Sequence, residues 1–286
     1  MNEPSGSYKK AADDGWLHHT GNSSRPARKA ETKPEPRLLT TSERTRRDVI
    51  FTTLLEELVL TEQHANNLLF DRGLSPEAIT RNLYASVTET LGEVVAALAS
   101  EGDLTGVPGF YFERGSWRFM AKPGDLLIPV RDEQGRIQAI SRRVPDYKAK
   151  RGDGKYPWCS HPQSRSGTPV HVANPYAVKF RPQIIISEGA LKSDIISDYL
   201  GLTVVGIAGV DAIGENFGAW LRRSFPEADS IQIAFDMDMW TNKRVSGALD
   251  RLLKELKFVG YSPTILVWDR SAGKGLDEVL AAGVAA

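Results

Sequence analysis

Three acidic residues carry the most specific chemistry in this chain. They are Glu188, followed at once by Gly189, and the pair Asp236 and Asp238 on either side of Met237. Each directly follows a short apolar run: Ile184 to Ser187 before the glutamate, Ile231 to Phe235 before the aspartates. Carboxylates gathered in one place repel unless a cation neutralises them. A hard ion such as Mg2+ (or Mn2+) takes oxygen ligands, keeps several waters, and uses one or two carboxylates plus phosphate oxygens. The chemistry expected of the trio is therefore metal-assisted phosphoryl transfer. Asp236 and Asp238, two residues apart, share a side if they stand on an extended strand end. Gly189 lets backbone or phosphate approach closely. The competing explanation is helix capping, since acids ahead of helices satisfy free N–H groups. Both signals in this order, with two strand–helix units between them, favour a shared site.

The elements around the acids explain how they meet. From Gln183 onward, strands and helices alternate. Strands are expected at 184–186, 203–208, 231–235 and 264–268, and helices at 191–200, 217–224, 245–257 and 277–282. This alternation predicts an α/β fold with a mostly parallel sheet. In such a sheet the carboxyl ends of the strands form one rim where ligands bind. The segment from Gly206 to Asp211 reads as a turn beside that rim. Upstream, Thr61 caps a helix that Gly73 stops, Ser75-Pro76-Glu77 opens a second, and 91–100 forms a third. Two hairpins follow, 110–112 with 117–119 and 126–130 with 137–140. A basic loop then runs from Arg142 to Lys155 through Arg143, Lys148, Lys150 and Arg151, with Tyr147, Tyr156 and Trp158 interleaved. Residues 1–47 are poor in large apolar side chains and read as a disordered tail ending in Arg44, Arg46 and Arg47. The expected organisation is this tail, an α+β lobe of helices and hairpins over 48–180, and the sheet domain over 181–286.

Bulk properties exclude other classes. The 36 basic and 36 acidic residues balance, so any nucleic-acid surface must be local. A single cysteine, Cys159, rules out a disulfide framework and a cysteine-based zinc finger. No apolar run reaches the roughly 18 to 20 residues of a membrane span, and the N-terminus is polar. A cytoplasmic protein with no membrane partner is expected.

Glu188-Gly189 followed by Asp236-Met237-Asp238 resembles the Toprim signature shared by DnaG-type primases, type IA and type II topoisomerases and related nucleases. The likeness to primases goes further. Leu127 to Asp132 with Gly135-Arg136-Ile137 resembles the strand–turn–strand that precedes the Toprim fold. Lys155-Tyr156-Pro157 resembles the Lys-Tyr motif after it. Gly273 to Glu278 resembles the acidic segment before the last helix, and Arg72 to Ser75 an early helical element. The similarity covers about residues 60 to 283 and is nearest to primase-like Toprim proteins of plasmids, phages and other mobile elements. It implies a Rossmann-like Toprim domain and a nucleotidyltransferase that makes or extends primers on single-stranded DNA from nucleotides. A separate replicative helicase is a further partner in that setting. By the resemblance, Asp236, Asp238 and Asp277 hold the metal, with Glu188 as general base or fourth ligand. Arg136, Arg142, Arg143, Lys155, Lys192 and Lys274 contact nucleic acid or nucleotide, while Tyr156 and Trp158 stack on bases or pack the core. The chain departs from the pattern at Lys192 and Gly275, where primases carry acids, and at Met237, where they carry glycine. A Toprim nuclease and a non-catalytic DNA-binding replication accessory are the alternatives.

Overall fold

The computed structural model describes residues 39–145, 154–209, 213–214 and 216–283, together with the backbone of strands β1 (Ser7–Lys10) and β2 (Trp16–His18). The chain divides into two compact units, 1–39 and 40–286. In the first, β1 and β2 pair antiparallel; the rest of the expected tail through residue 38 lies outside the described residues.

The second unit begins earlier than its composition suggests. Helix α1 spans Thr41–Glu56 and buries Phe51, Leu54 and Leu55. It starts before residue 48 because Thr40 and Glu43 form a reciprocal capping box, with Glu43 N–H donating to Thr40 Oγ1 at 3.2 Å and Thr40 N–H to Glu43 Oε2 at 2.8 Å. Arg44, expected at the end of a solvated tail, lies 3.4 Å from both Asp132 and Glu133. Arg46 donates to the Thr105 carbonyl at 3.1 Å. The arginines thus tie α1 down.

Next come α2 (Glu62–Asn66), a π-helical turn over Asn67–Asp71, α3 (Pro76–Asn82), β3 (Ala85–Ser86) and α4 (Leu91–Glu101). Gly73 ends the first of these at φ +70°, a conformation that favours glycine. Hairpins β4–β5 (Phe110–Glu113, Ser116–Phe119) and β6–β7 (Leu126–Arg131, Ile137–Arg143) form as expected. Helices α1 and α4, strand β3 and the two hairpins enclose an apolar core around Phe51, Leu54, Phe110, Leu127 and Ile140.

The C-terminal half is built on a sheet of order β12-β11-β9-β10-β8. Strands β9 (Gln183–Glu188), β10 (Thr203–Ile207), β11 (Ser230–Ala234) and β12 (Thr264–Ile265) run parallel. The edge strand β8 (His171–Ala173) is antiparallel to β10 and enters from before the expected boundary at 181. Its three residues are too few to show a pattern. Helices α5 (Ala190–Leu200), α6 (Phe217–Ser224), α7 (Lys243–Phe258) and α8 (Leu276–Ala281) cover both faces. The period-two rule divides β9 between them. Ile184 and Ile186 pack with Leu221, Leu249 and Leu252 of α6 and α7, whereas Ile185 packs with Ile196 of α5 and Leu276 of α8. This double coverage explains the unbroken apolar run. Leu68, Leu74, Leu126 and Ile128 pack on Leu191 and Ile195, so α5 is also the face on which the N-terminal lobe rests. Among the described residues no helix is long and apolar enough to cross a membrane.

Candidate catalytic site

Glu188 is the last residue of the central strand β9, and Gly189 turns the chain into α5 at φ +78°. A Cβ on Gly189 would meet no protein atom within 4 Å, so the backbone conformation, and not a close backbone neighbour, calls for glycine here. Close approach belongs instead to Gly206, which lies within β10 and not in a turn. A Cβ there would stand 2.5 Å from Ser193 Oγ and 2.8 Å from the Gly189 carbonyl oxygen. The second contact is backbone and cannot swing aside. Gly206→Ala is therefore expected to lower stability by about 1–3 kcal/mol and to displace the Glu188–Gly189 turn. Urea denaturation checks the first effect and loss of site function the second.

Asp236 follows β11 and opens a 3-10 turn over Met237–Trp240, so Asp238 stands on a turn and not on the extended strand end first supposed. The two carboxylates still converge, because Lys274 Nζ lies 3.1 Å from Asp236 Oδ2 and 3.1 Å from Asp238 Oδ2. The Asp236 N–H points to Glu188 Oε1 at 3.4 Å, which puts the glutamate against the aspartate pair. Lys192, on the first turn of α5, forms an ion pair with Asp236 Oδ1 and lies 3.9 Å from Asp277 Oδ1. Among the described residues no group of three His, Cys, Asp or Glu side chains forms a ready metal cluster. The cluster is instead acid and lysine interleaved.

The electrostatics follow from that mixture. Burial, then the Asp236 charge, pushes the Glu188 carboxyl above the usual range. Burial would also raise Asp236, but the Lys192 and Lys274 ammonium groups outweigh it and hold Asp236 below the carboxylate norm. Lys192 loses hydration on burial, yet Asp277 and Asp236 keep it firmly protonated. Asp277 is raised, mainly by burial. Asp236 and Asp238 fit one hard cation. They are paired oxygen donors already spanning a positive charge, and Lys274, half exposed, is free to withdraw into water. Two carboxylates with water and phosphate make up the usual magnesium site. Asp277 is buried beside Lys192, its Oδ1 3.9 Å from the ammonium and, among the described residues, without a hydrogen-bond partner.

The basic residues of the lobe divide. Arg136 lies 2.8 Å from Asp132 and Arg142 2.7 Å from Asp125, with both aspartates almost fully buried. Those two charges are engaged inside the protein. Arg143 donates to Asn67 Oδ1 at 2.6 Å, and Lys155 is exposed. Lys148, Lys150, Arg151 and Tyr147 lie outside the described residues, as do Val210 and Asp211. Asn242 caps α7 through the Arg244 N–H at 3.1 Å, while Trp240 is exposed just beyond the aspartates. A cavity of about 380 Å3 separates the acids from Arg72, Tyr156 and Trp158.

One network was not legible in the sequence. The Tyr84 hydroxyl donates to Asp194 Oδ2 at 2.6 Å, and His171 Nε2 lies 3.0 Å from Asp194 Oδ1. The Arg131 N–H donates to His171 Nδ1 at 3.1 Å, so Nε2 carries the ring proton and donates to Asp194. Asp194 thus faces away from the acid cluster and fixes α5 to the lobe and to β8.

A family model described as a domain of unknown function (DUF3854) matches residues 177–286. No curated protein matches the sequence. Solved structures do resemble it. The Aquifex aeolicus primase, comprising zinc-binding and RNA polymerase domains, is 17% identical with a TM-score of 0.62, and the match covers 85% of this chain and 58% of that one. The RNA polymerase domain of Mycobacterium tuberculosis primase DnaG is 13% identical with a TM-score of 0.62, over 86% of this chain and 83% of that one. A DnaG primase catalytic domain bound to ssDNA is 16% identical with a TM-score of 0.58, over 84% and 76%. The chain therefore spans a little over half of the Aquifex chain that holds those two domains, and it has the fold of DnaG-type primase catalytic cores.

Proposed function

We propose that this chain is a primase-like nucleotidyltransferase of the Toprim type. It extends a polynucleotide on single-stranded DNA, in the replication of a plasmid, phage or other mobile element. The observation that carries this reading is the meeting of Glu188, Asp236 and Asp238 at the carboxyl rim of a parallel sheet, where Glu188 and Asp236 line a cavity shared with Arg72, Tyr156 and Trp158. The primase-core fold supports it.

The chain's own residues suggest their roles. In the reaction, a 3′ hydroxyl oxygen attacks the α-phosphate of a nucleoside triphosphate and pyrophosphate leaves. Glu188, raised by burial, takes the hydroxyl proton. Lys192 sets positive charge against the phosphates, Lys274 yields its place between the aspartates to the ion, and exposed Lys155 holds the strand. Tyr156 and Trp158 offer faces on which a base stacks. Asp236 and Asp238 hold Mg2+ or Mn2+, which when bound stabilises charge on the phosphoryl oxygens.

A second reading is a DNA-binding accessory without turnover, favoured by the ion pair of Lys192 with Asp236. Incubation with single-stranded DNA, magnesium and labelled nucleotides separates the two. Extended products support the transferase. DNA binding with neither extension nor metal affinity supports the accessory, and shortened DNA would mean a nuclease.

A further inference from the structure

We infer that Lys192 is an internal cation that takes up one oxygen of Asp236 and stands in front of Asp277, so that the site accepts one divalent ion and not two. The inference rests on the metal-dependent reading above and specifies which acids remain for the metal.

Three observations carry it. Lys192 sits on the first turn of a helix packed on both the sheet and the lobe, and its ammonium pairs with Asp236 Oδ1 and lies 3.9 Å from Asp277 Oδ1. Gly275 shows how full that corner is. A Cβ there would stand 2.3 Å from Asp277 Oδ1, 2.9 Å from Lys192 Nζ and 3.0 Å from Asp236 Oδ1. The ammonium and two carboxylates therefore fill the volume a side chain at 275 would need, and no carboxylate fits there without displacing them. The glycine and the lysine are two halves of one arrangement. Lys274 provides the contrast. It bridges the other oxygen of Asp236 to Asp238 but is half exposed, so it yields to a divalent ion by swinging into water. Lys192 is less exposed than Lys274 and keeps its pair with Asp236, and a second divalent ion between it and Asp277 would meet a like charge.

The functional consequence is a division of labour. One exchangeable ion sits on the Asp236–Asp238 side, and a permanent ammonium on the Asp277 side neutralises phosphate charge without depending on metal concentration. Manganese binding to the full chain, followed by the electron paramagnetic resonance of free Mn2+, tests this. Wild type is expected to bind one ion per chain, with affinity at least tenfold weaker in Asp238→Asn. Asp277→Asn is expected to stay within about threefold of wild type, as it removes a carboxylate that faces the Lys192 ammonium and not a ligand of the ion. Lys192→Ala is expected to admit a second ion. Two ions in wild type, a tenfold loss in Asp277→Asn, or unchanged single-ion binding in Lys192→Ala overturns the inference and leaves the metal-dependent reading standing. No ion in wild type overturns both. The wild-type stoichiometry and the isosteric Asp277→Asn decide the matter even if Lys192→Ala fails to fold.

Discussion

Replacing Asp236 by Asn is expected to lower magnesium-dependent nucleotide incorporation by about a hundredfold or more, because even groups that only support a metal ligand cost 10–100-fold when lost. The reason lies in how many partners share this one carboxylate. One oxygen pairs with Lys192, the other with Lys274, and its own N–H points to Glu188. An amide keeps the shape and removes the charge that draws a divalent ion. The fold is expected to survive, since β11 and the 3-10 turn depend on backbone bonds and on apolar neighbours such as Phe235 and Met239. Incorporation of labelled nucleotide checks the loss, and circular dichroism checks the fold. Wild-type turnover in the folded variant would remove Asp236 from the mechanism.

Asp194→Ala is expected to destabilise the protein by about 2–5 kcal/mol, because two buried donors lose their acceptor at about 1–3 kcal/mol each. Asp194, Tyr84 and His171 are all buried. Burial and the Asp194 charge push the Tyr84 phenol well above its ordinary range, so it remains a donor at any working pH. Without the carboxylate, that hydroxyl and the His171 Nε2–H are stranded away from water. Tyr84 precedes β3, His171 lies on β8 and Asp194 on α5, so the loss is felt where the lobe meets the sheet. Tyr84→Phe removes only one bond and is expected to cost about 1–2 kcal/mol. Urea denaturation measures both. An Asp194→Ala variant as stable as wild type would show that the network holds nothing together.

These residues also show what a sequence exposes and what it conceals. The parallel sheet was legible because its strands are covered on both faces and so are apolar without interruption. The acids drew attention because two signals, each weak or moderate alone, follow apolar runs in the order of one known signature. Helix α1 was missed entirely, its start because a capping box inside a polar stretch looks like linker until both hydrogen bonds are seen. Strand β8 was missed because three residues cannot display a period. The partners of Arg136 and Arg142 were hidden as well. A basic residue in a hairpin looks the same whether it faces solvent or the buried Asp132 and Asp125. Lys192 was visible as an unusual residue, but only the fold reveals that its ammonium enters the corner left free by Gly275. Interactions between distant segments are set by tertiary packing, which a linear pattern does not encode.

The most direct test of the central claim is diffraction from crystals soaked with manganese, read from the metal's anomalous signal. The account predicts one ion at about 2 Å from oxygens of Asp236 and Asp238, with the Glu188 carboxylate beside it and Lys274 swung away. An ion bound elsewhere, or none while Lys274 still bridges the two aspartates, would contradict it.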